Sequence, residues 1–320
     1  MRTVNGDVPK TLGYFLCGMS LLWLTACSDG SDGDNSSADV QLESCVDSDS
    51  CVSNPPLSIN TERPAQVYIP VDYNTATRYP LVVLLHGRGA NGTLQALYMR
   101  LPERVDPRQF VLVTPDGTVS STGARIWNVN EFCCATTPEE ALIDDVGYIR
   151  SLIEEAAATY SVDTNNISLV GHSNGGFLAL RMVCEASDYI ASVVSLAGAT
   201  TNDPADCVPA LNPVSTLLMH GDEDDTVFFD GIPGIYPSAE DAATRFATLA
   251  GCSQTPQSSP NINVDASIDG PETKVTEYGS CDGNRAVTLW HMVGSPHIPG
   301  PWEDSGLDMM VDWLIEQPRQ

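Results

Sequence analysis

Positive charge is scarce in this chain. Lysine and arginine together number 15 against 42 aspartates and glutamates in 320 residues, a formal charge of −27 at pH 7. So acidic a protein repels phosphate backbones and anionic surfaces, which excludes nucleic acid as a partner. Histidine is rarer still, with five copies, so a catalytic imidazole has to come from a short list. Paired CxxC motifs and His/Cys clusters are missing, and with them the sequence grounds for a metal or other cofactor. The apolar segment from Thr11 to Leu24 falls short of the roughly 20 residues that a membrane-spanning helix needs. There is no internal repeat. What remains is 42% apolar residues, ample for a large buried core.

Arg2 and Lys10 precede that apolar segment, the arrangement of a signal peptide. It closes on Leu24-Thr25-Ala26-Cys27, which resembles the bacterial lipoprotein signal. The resemblance implies cleavage after residue 26 and lipidation of Cys27, with the lipid as the only membrane contact. An exported chain at the cell envelope is then expected, periplasmic or on the outer membrane, and Ser28 favours the outer membrane by the same resemblance. An ordinary signal cleavage would leave it secreted. In residues 27–62, Cys27 is followed by SDGSDGDNSSAD, which has nothing to bury and reads as a flexible acidic tether. One folded domain is expected from 63 to 320.

With Cys17 and Cys27 set aside, eight cysteines remain, an even number that in an exported chain implies disulfides. Short loops favour Cys45 with Cys51, Cys184 with Cys207 and Cys252 with Cys281. Cys133 and Cys134 either bond to each other or split between other partners.

Beyond Cys51, strand-like and helix-like segments alternate. Strands are expected at 66–70, 81–85, 110–113, 167–170, 192–195, 216–219 and 286–289, where apolar and β-branched residues run together between turn signals. Helices are expected at 137–160, opened by Thr-Pro-Glu-Glu, and at 174–187, 239–250 and 305–316. Residues 252–285 read as irregular. Nearly continuous apolar strands between helices mean an α/β fold, a mostly parallel sheet with helices on both faces.

The stretch GHSNGG (171–176) lies where one such strand hands over to a helix. Gly171, Ser173 and Gly175 fit GxSxG, the nucleophile elbow, in which the serine takes a strained conformation and its neighbours must be nearly free of side chains. A hydroxyl is a weak nucleophile and needs a base. In the architecture to which this elbow belongs, the acid and then the histidine follow the serine in the chain. His86 and His172 precede it and drop out. Strand 216–219 runs into Asp222-Glu223-Asp224-Asp225, so the acid lies in that cluster and His220 comes too early. His291 sits in a strand whereas His297 sits in the loop leading to the last helix, which makes His297 the expected base. The oxyanion donors are expected to be the N–H groups of Asn174 and Arg88. Trp127 and Trp302 are candidates to flank the cleft and stack on an acyl group.

Taken together, LLHGRGANG (84–92), WNVNEFCC (127–134), DDVGYI (144–149), GHSNGGFLALRM (171–182), HGDEDDTVFF (220–229) and GSPHIPGPW (294–302) resemble the polyhydroxybutyrate depolymerase and feruloyl esterase group of secreted α/β hydrolases. The resemblance runs from about Arg63 to the C-terminus and implies an α/β-hydrolase fold. It implies a serine esterase that works through an acyl-enzyme on feruloyl or acetyl esters of polysaccharide, or on hydroxyalkanoate esters, with a polymer-derived ester as partner. It places the acid at Asp224, with Asp225 as runner-up. This chain departs from the group beside His297, where Ile298 and Pro299 stand in place of an aromatic residue. Two other readings of the same elbow are a prolyl-oligopeptidase-like peptidase and a surface lipoprotein that keeps the fold only to bind.

Overall fold

The structure is a computed structural model, and it describes residues 55–319 apart from 131 and 208–211. Cys27, the Cys45–Cys51 pairing and the signal segment lie outside the described residues. A ten-stranded sheet organises the rest. In chain order its strands are β1 (Ser58–Ile59), β2 (Ala65–Tyr68), β3 (Tyr79–Leu85) and β4 (Val111–Thr114); a separate small ribbon holds β5 (Thr118–Val119) and β6 (Arg125–Ile126). The main sheet continues with β7 (Val162–His172), β8 (Ser192–Leu196), β9 (Ser215–Gly221), β10 (Gln257–Ile262), β11 (Thr273–Tyr278) and β12 (Val287–Met292). The spatial order is β1-β2-β4-β3-β7-β8-β9-β12-β11-β10. Neighbours from β4 to β12 are parallel, and the two outer strands on each side are antiparallel.

The helices are α1 (Gly92–Tyr98), α2 (Pro102–Arg108), α3 (Asp145–Thr159), α4 (Asn174–Glu185), α5 (Ala239–Leu249) and α6 (Asp304–Ile315). Strand periodicity assigns each apolar residue to a face. On β3, Leu81, Val83 and Leu85 pack with α3, α4 and α5, whereas Val82 and Leu84 pack with α1, α2 and α6. Both faces are thus covered. That explains why the central strands have no polar alternation.

Four differences from the sequence reading have physical causes. Ser58–Ile59, expected in the tether, pairs with β2. The expected helix 137–160 is split: Glu140–Leu142 form a single 3₁₀ turn, and α3 starts at Asp145 because the Asp144 carboxylate accepts the N–H of Gly147 as its cap. Residues 252–285 are not irregular, since β10 and β11 form an antiparallel hairpin at the sheet edge. β10, with the sequence QSSPNI, is polar and holds a proline, the composition of an edge strand kept from pairing further. Finally, α1 and α2 were not anticipated, because each has seven residues and Leu94 and Leu97 on α1 face solvent.

Among the described residues there are three disulfides. Cys184–Cys207 ties the end of α4 to the loop after β8, Cys252–Cys281 closes the β10/β11 excursion, and Cys133 is bonded to Cys134.

Candidate active site

The C-terminal ends of the parallel strands collect the polar residues singled out in the sequence, as expected for an open α/β sheet. Ser173 sits between β7 and α4 with φ 53° and ψ −121°. A non-glycine residue there is strained and is held by its surroundings: its N–H donates to Leu196 O at 2.8 Å. The flanking glycines are required by contact. A Cβ on Gly171 would lie 2.1 Å from Gly175 O, and one on Gly175 would lie 2.2 Å from Leu85 O. The turn is therefore too tight for a side chain at either glycine position, and the Ser173 side chain points into the cleft.

His297 and Asp224 arrive from two other loops. His297 Nε2 stands 2.9 Å from Ser173 Oγ, and its Nδ1 stands 2.8 Å from Asp224 Oδ2. Asp224 Oδ1 accepts the N–H groups of Thr226 and Val227 at 2.9 and 2.8 Å. Burial by itself raises the pKa of such a carboxyl, but the hydrogen bonds from His220, His297, Val227 and Thr226 outweigh it and hold Asp224 well below the usual carboxylate range. It is an anion at neutral pH. Because Asp224 is acceptor-only, the proton between it and His297 lies on Nδ1, which leaves Nε2 free to accept from the serine hydroxyl. Asp225 is exposed and accepts only the Thr226 hydroxyl. His291 is elsewhere, with Nε2 on Asp222 Oδ2 at 2.9 Å and its ring stacked on Phe229.

The three histidines excluded by chain order, His86, His172 and His220, all support this group. His220 Nε2 lies 2.7 Å from Val227 O and 3.2 Å from Asp224 Oδ2, so its N–H reaches both the acid and the turn that carries it. His172 Nε2–H donates to His297 O at 2.9 Å. His86 Nε2 accepts the Gly117 N–H, which puts the ring proton on Nδ1, where it donates to Gly87 O at 2.8 Å. That bond shapes the loop carrying Arg88, and burial lowers the His86 pKa, so the ring stays neutral. No sequence pattern marks such residues, because each is oriented by a backbone group whose position only the fold sets: Gly117 for His86, His297 for His172 and Val227 for His220.

Asn174 has two jobs. Its backbone opens α4, where the first N–H groups lack intrahelical partners. Its buried side chain clamps Trp127, with Oδ1 accepting Trp127 N–H and Nδ2 donating to Trp127 O. Nδ2 also lies 3.3 Å from Cys133 Sγ. Trp127, expected at the cleft wall, is instead 0% exposed, and its Nε1–H donates to His86 O at 2.9 Å. It is a strut beneath the Arg88 loop. Trp302 is 6% exposed and packs on Tyr98, outside the residues that line the Ser173 cleft. That cleft, of about 240 Å³, is bounded by Gly87, Arg88, Leu94, Tyr98, His172 and Ile298.

Burial pushes the His172 pKa down to about 4 from 6.5. Between those values the unfolded chain binds a proton that the native ring refuses, so stability falls as pH drops from 6.5 toward 4, by at most about 1.4 kcal/mol per pH unit from this group. Thermal melts of wild type and His172→Asn across that window are expected to show a shallower loss in the variant. Equal slopes would mean that His172 titrates normally.

A family model, several curated relatives and solved structures match this chain. The model described as "Putative esterase" matches residues 57–309. Feruloyl esterase D of Neurospora crassa is 23% identical over 246 residues, covering 73% of this chain and 73% of that protein. The bifunctional acetylxylan esterase/xylanase XynS20E of Neocallimastix patriciarum is 22% identical over 266 residues, covering 80% of this chain. This chain spans less than half the length of two of its curated relatives, 42% of one and 34% of the other. Among solved structures, the acetyl xylan esterase from Aspergillus awamori superposes with a TM-score of 0.58 at 14% identity, over 79% of this chain and 94% of that one, a likeness of fold.

Proposed function

The chain belongs to the esterase family whose model spans residues 57–309, and from that premise we propose that it is a carboxylic ester hydrolase in which Ser173 is the nucleophile, His297 the general base and acid, and Asp224 the group that orients and charges the imidazole. The observation that carries this reading is the unbroken chain from Asp224 Oδ2 through His297 to Ser173 Oγ, with the serine at positive φ. Ser173 Oγ attacks the ester carbonyl as its proton passes to His297 Nε2. The oxyanion that forms is met by the N–H groups of Arg88 and Asn174, each worth about 3 kcal/mol in such sites. The imidazolium then protonates the leaving alcohol, and water, activated by the same ring, releases the acid from the acyl-enzyme.

The proposed substrates are acetyl or feruloyl esters of polysaccharide, in line with the names of the relatives, or hydroxyalkanoate esters, and a polymer-derived ester is the proposed partner. The protein is proposed to be exported and held by a lipid on Cys27. Its three disulfides support an oxidising compartment.

Incubation with a fluorophosphonate tests the reading. One equivalent is expected to attach, to map by peptide mass to Ser173, and to abolish hydrolysis of p-nitrophenyl acetate. The anilide of the same acid should not be cleaved at a comparable rate; labelling elsewhere, or amide cleavage matching the ester, would overturn the assignment.

A further inference from the structure

The cleft beside Ser173 opens onto an apolar track. Leu94 (56% exposed), Leu97 (65%) and Ile298 (61%) are large aliphatic side chains left in water at its rim. A second shallow cavity shares Tyr98 and Ile298 with the first and continues past Leu97 and Pro299 to Trp302. Three such residues in one place, continuous with a reactive serine, call for a partner that removes them from water. Among the described residues, Arg88 is the one Lys, Arg, Asp or Glu side chain that lines the Ser173 cleft.

The exposed apolar side chains of the track are aliphatic; Arg100 also borders its far cavity, where Glu103 and Asp304 hold it, and the aromatic rings along it are already packed. A planar hydroxycinnamoyl group gains most by stacking on a ring. Trp127 is buried beneath the Arg88 loop and Trp302 is covered. The Tyr98 ring is already packed against His172 and Trp302, with both centroids at 5.5 Å, and its hydroxyl donates to Pro299 O at 2.8 Å. That bond also fixes the backbone next to Ile298, so the aliphatic wall is held in place against the site.

We infer that Leu94, Leu97 and Ile298 bind the aliphatic chain of the ester, so that this enzyme selects aliphatic over hydroxycinnamoyl esters. The inference rests on Ser173 as the nucleophile. The chain can belong to the acid or to the alcohol, and two substrate series separate these sources: p-nitrophenyl acetate, butyrate, hexanoate and octanoate, and the acetates of ethanol, butanol and hexanol. In one series kcat/KM is expected to rise by roughly fourfold per methylene, the equivalent of about 0.8 kcal/mol, until the track is filled. Methyl ferulate is expected to be poorer than the preferred aliphatic ester. Ile298→Ser and Leu94→Ser are expected to cut the long-to-short ratio of kcat/KM in that series by roughly tenfold, the loss of about two methylenes' worth of burial. Val71→Ser, at an exposed residue outside the cleft, should leave the ratio alone. Flat profiles in both series, a preference for ferulate, or a ratio unmoved by both cleft substitutions would overturn the inference. Failure to cleave p-nitrophenyl acetate at all would instead remove Ser173 as the nucleophile.

Discussion

Ser173→Ala is expected to lower kcat on p-nitrophenyl acetate by on the order of 10⁶, because a triad without its nucleophile keeps only the contribution of the oxyanion donors and substrate binding. The substitution removes one oxygen at the mouth of the cleft. Backbone strain falls on the same residue, since alanine at φ 53° is no more comfortable than serine. The variant should therefore fold as the wild type does, with an unchanged circular dichroism spectrum and a melting temperature within a few degrees. Burst kinetics give a second readout: wild type should release p-nitrophenol at one equivalent per site when deacylation is slow, and the variant none. A variant that keeps more than about a hundredth of the activity would require another nucleophile or direct attack by water.

Asp224→Asn should cost about 10⁴ in kcat, the loss expected when a triad imidazole is held in the wrong tautomer. Four donors converge on Asp224: the N–H groups of Thr226 and Val227, His297 Nδ1 and His220 Nε2. An asparagine has one acceptor oxygen and one NH₂. If the oxygen serves Thr226 and Val227, the NH₂ faces His297 and can donate only to a bare Nδ1. The ring proton then moves to Nε2, the atom that has to accept from Ser173. The same NH₂ meets the His220 N–H, two donors without an acceptor, so some stability is lost as well. Asp225→Asn is the control; that carboxylate is exposed and holds only the neighbouring Thr226 hydroxyl, and its activity should stay within a few-fold of wild type. If the two variants exchange phenotypes, Asp225 is the acid. Steady-state kinetics at pH 8 on both proteins decide it.

The parts of the fold legible in the sequence are those where burial is complete. Strands β3, β8 and β9 and the buried half of β7 are apolar runs because both faces of the sheet are covered, and the sequence places them there; the polar first half of β7, from Val162 to Asn166, is not legible in this way. Legibility fails where one side meets water. β10 carries no apolar run, and α1 spends two of its leucines on the cleft rim rather than on the core. The Cys184–Cys207 and Cys252–Cys281 bonds followed from short loops. Trp127 illustrates the limit from the other side, since a large aromatic near a motif looks alike whether it faces the ligand or supports the loop above it.

At the candidate site the division is similar. GxSxG specifies its own geometry: a Cβ at Gly171 or Gly175 would run into the backbone, so those glycines announce a turn and the serine inside it. Chain order and loop position then single out His297. Among four adjacent acids, residue identity decides nothing, because carboxylates one position apart differ in direction and not in chemistry. Folding turns Asp224 inward onto four donors and leaves Asp225 in water. Likewise, His86, His172 and His220 look dispensable by position along the chain and become supports once folding brings Gly117, His297 and Val227 within hydrogen-bond reach. The sequence by itself determined the α/β architecture, the elbow and the class of chemistry, since these depend on local pattern and on contacts between near neighbours. The tertiary structure added the hydrogen bonds that set Asp224 apart from Asp225, the support of His297 by His172 and the lining of the cleft, since those depend on how loops distant in the chain are brought together.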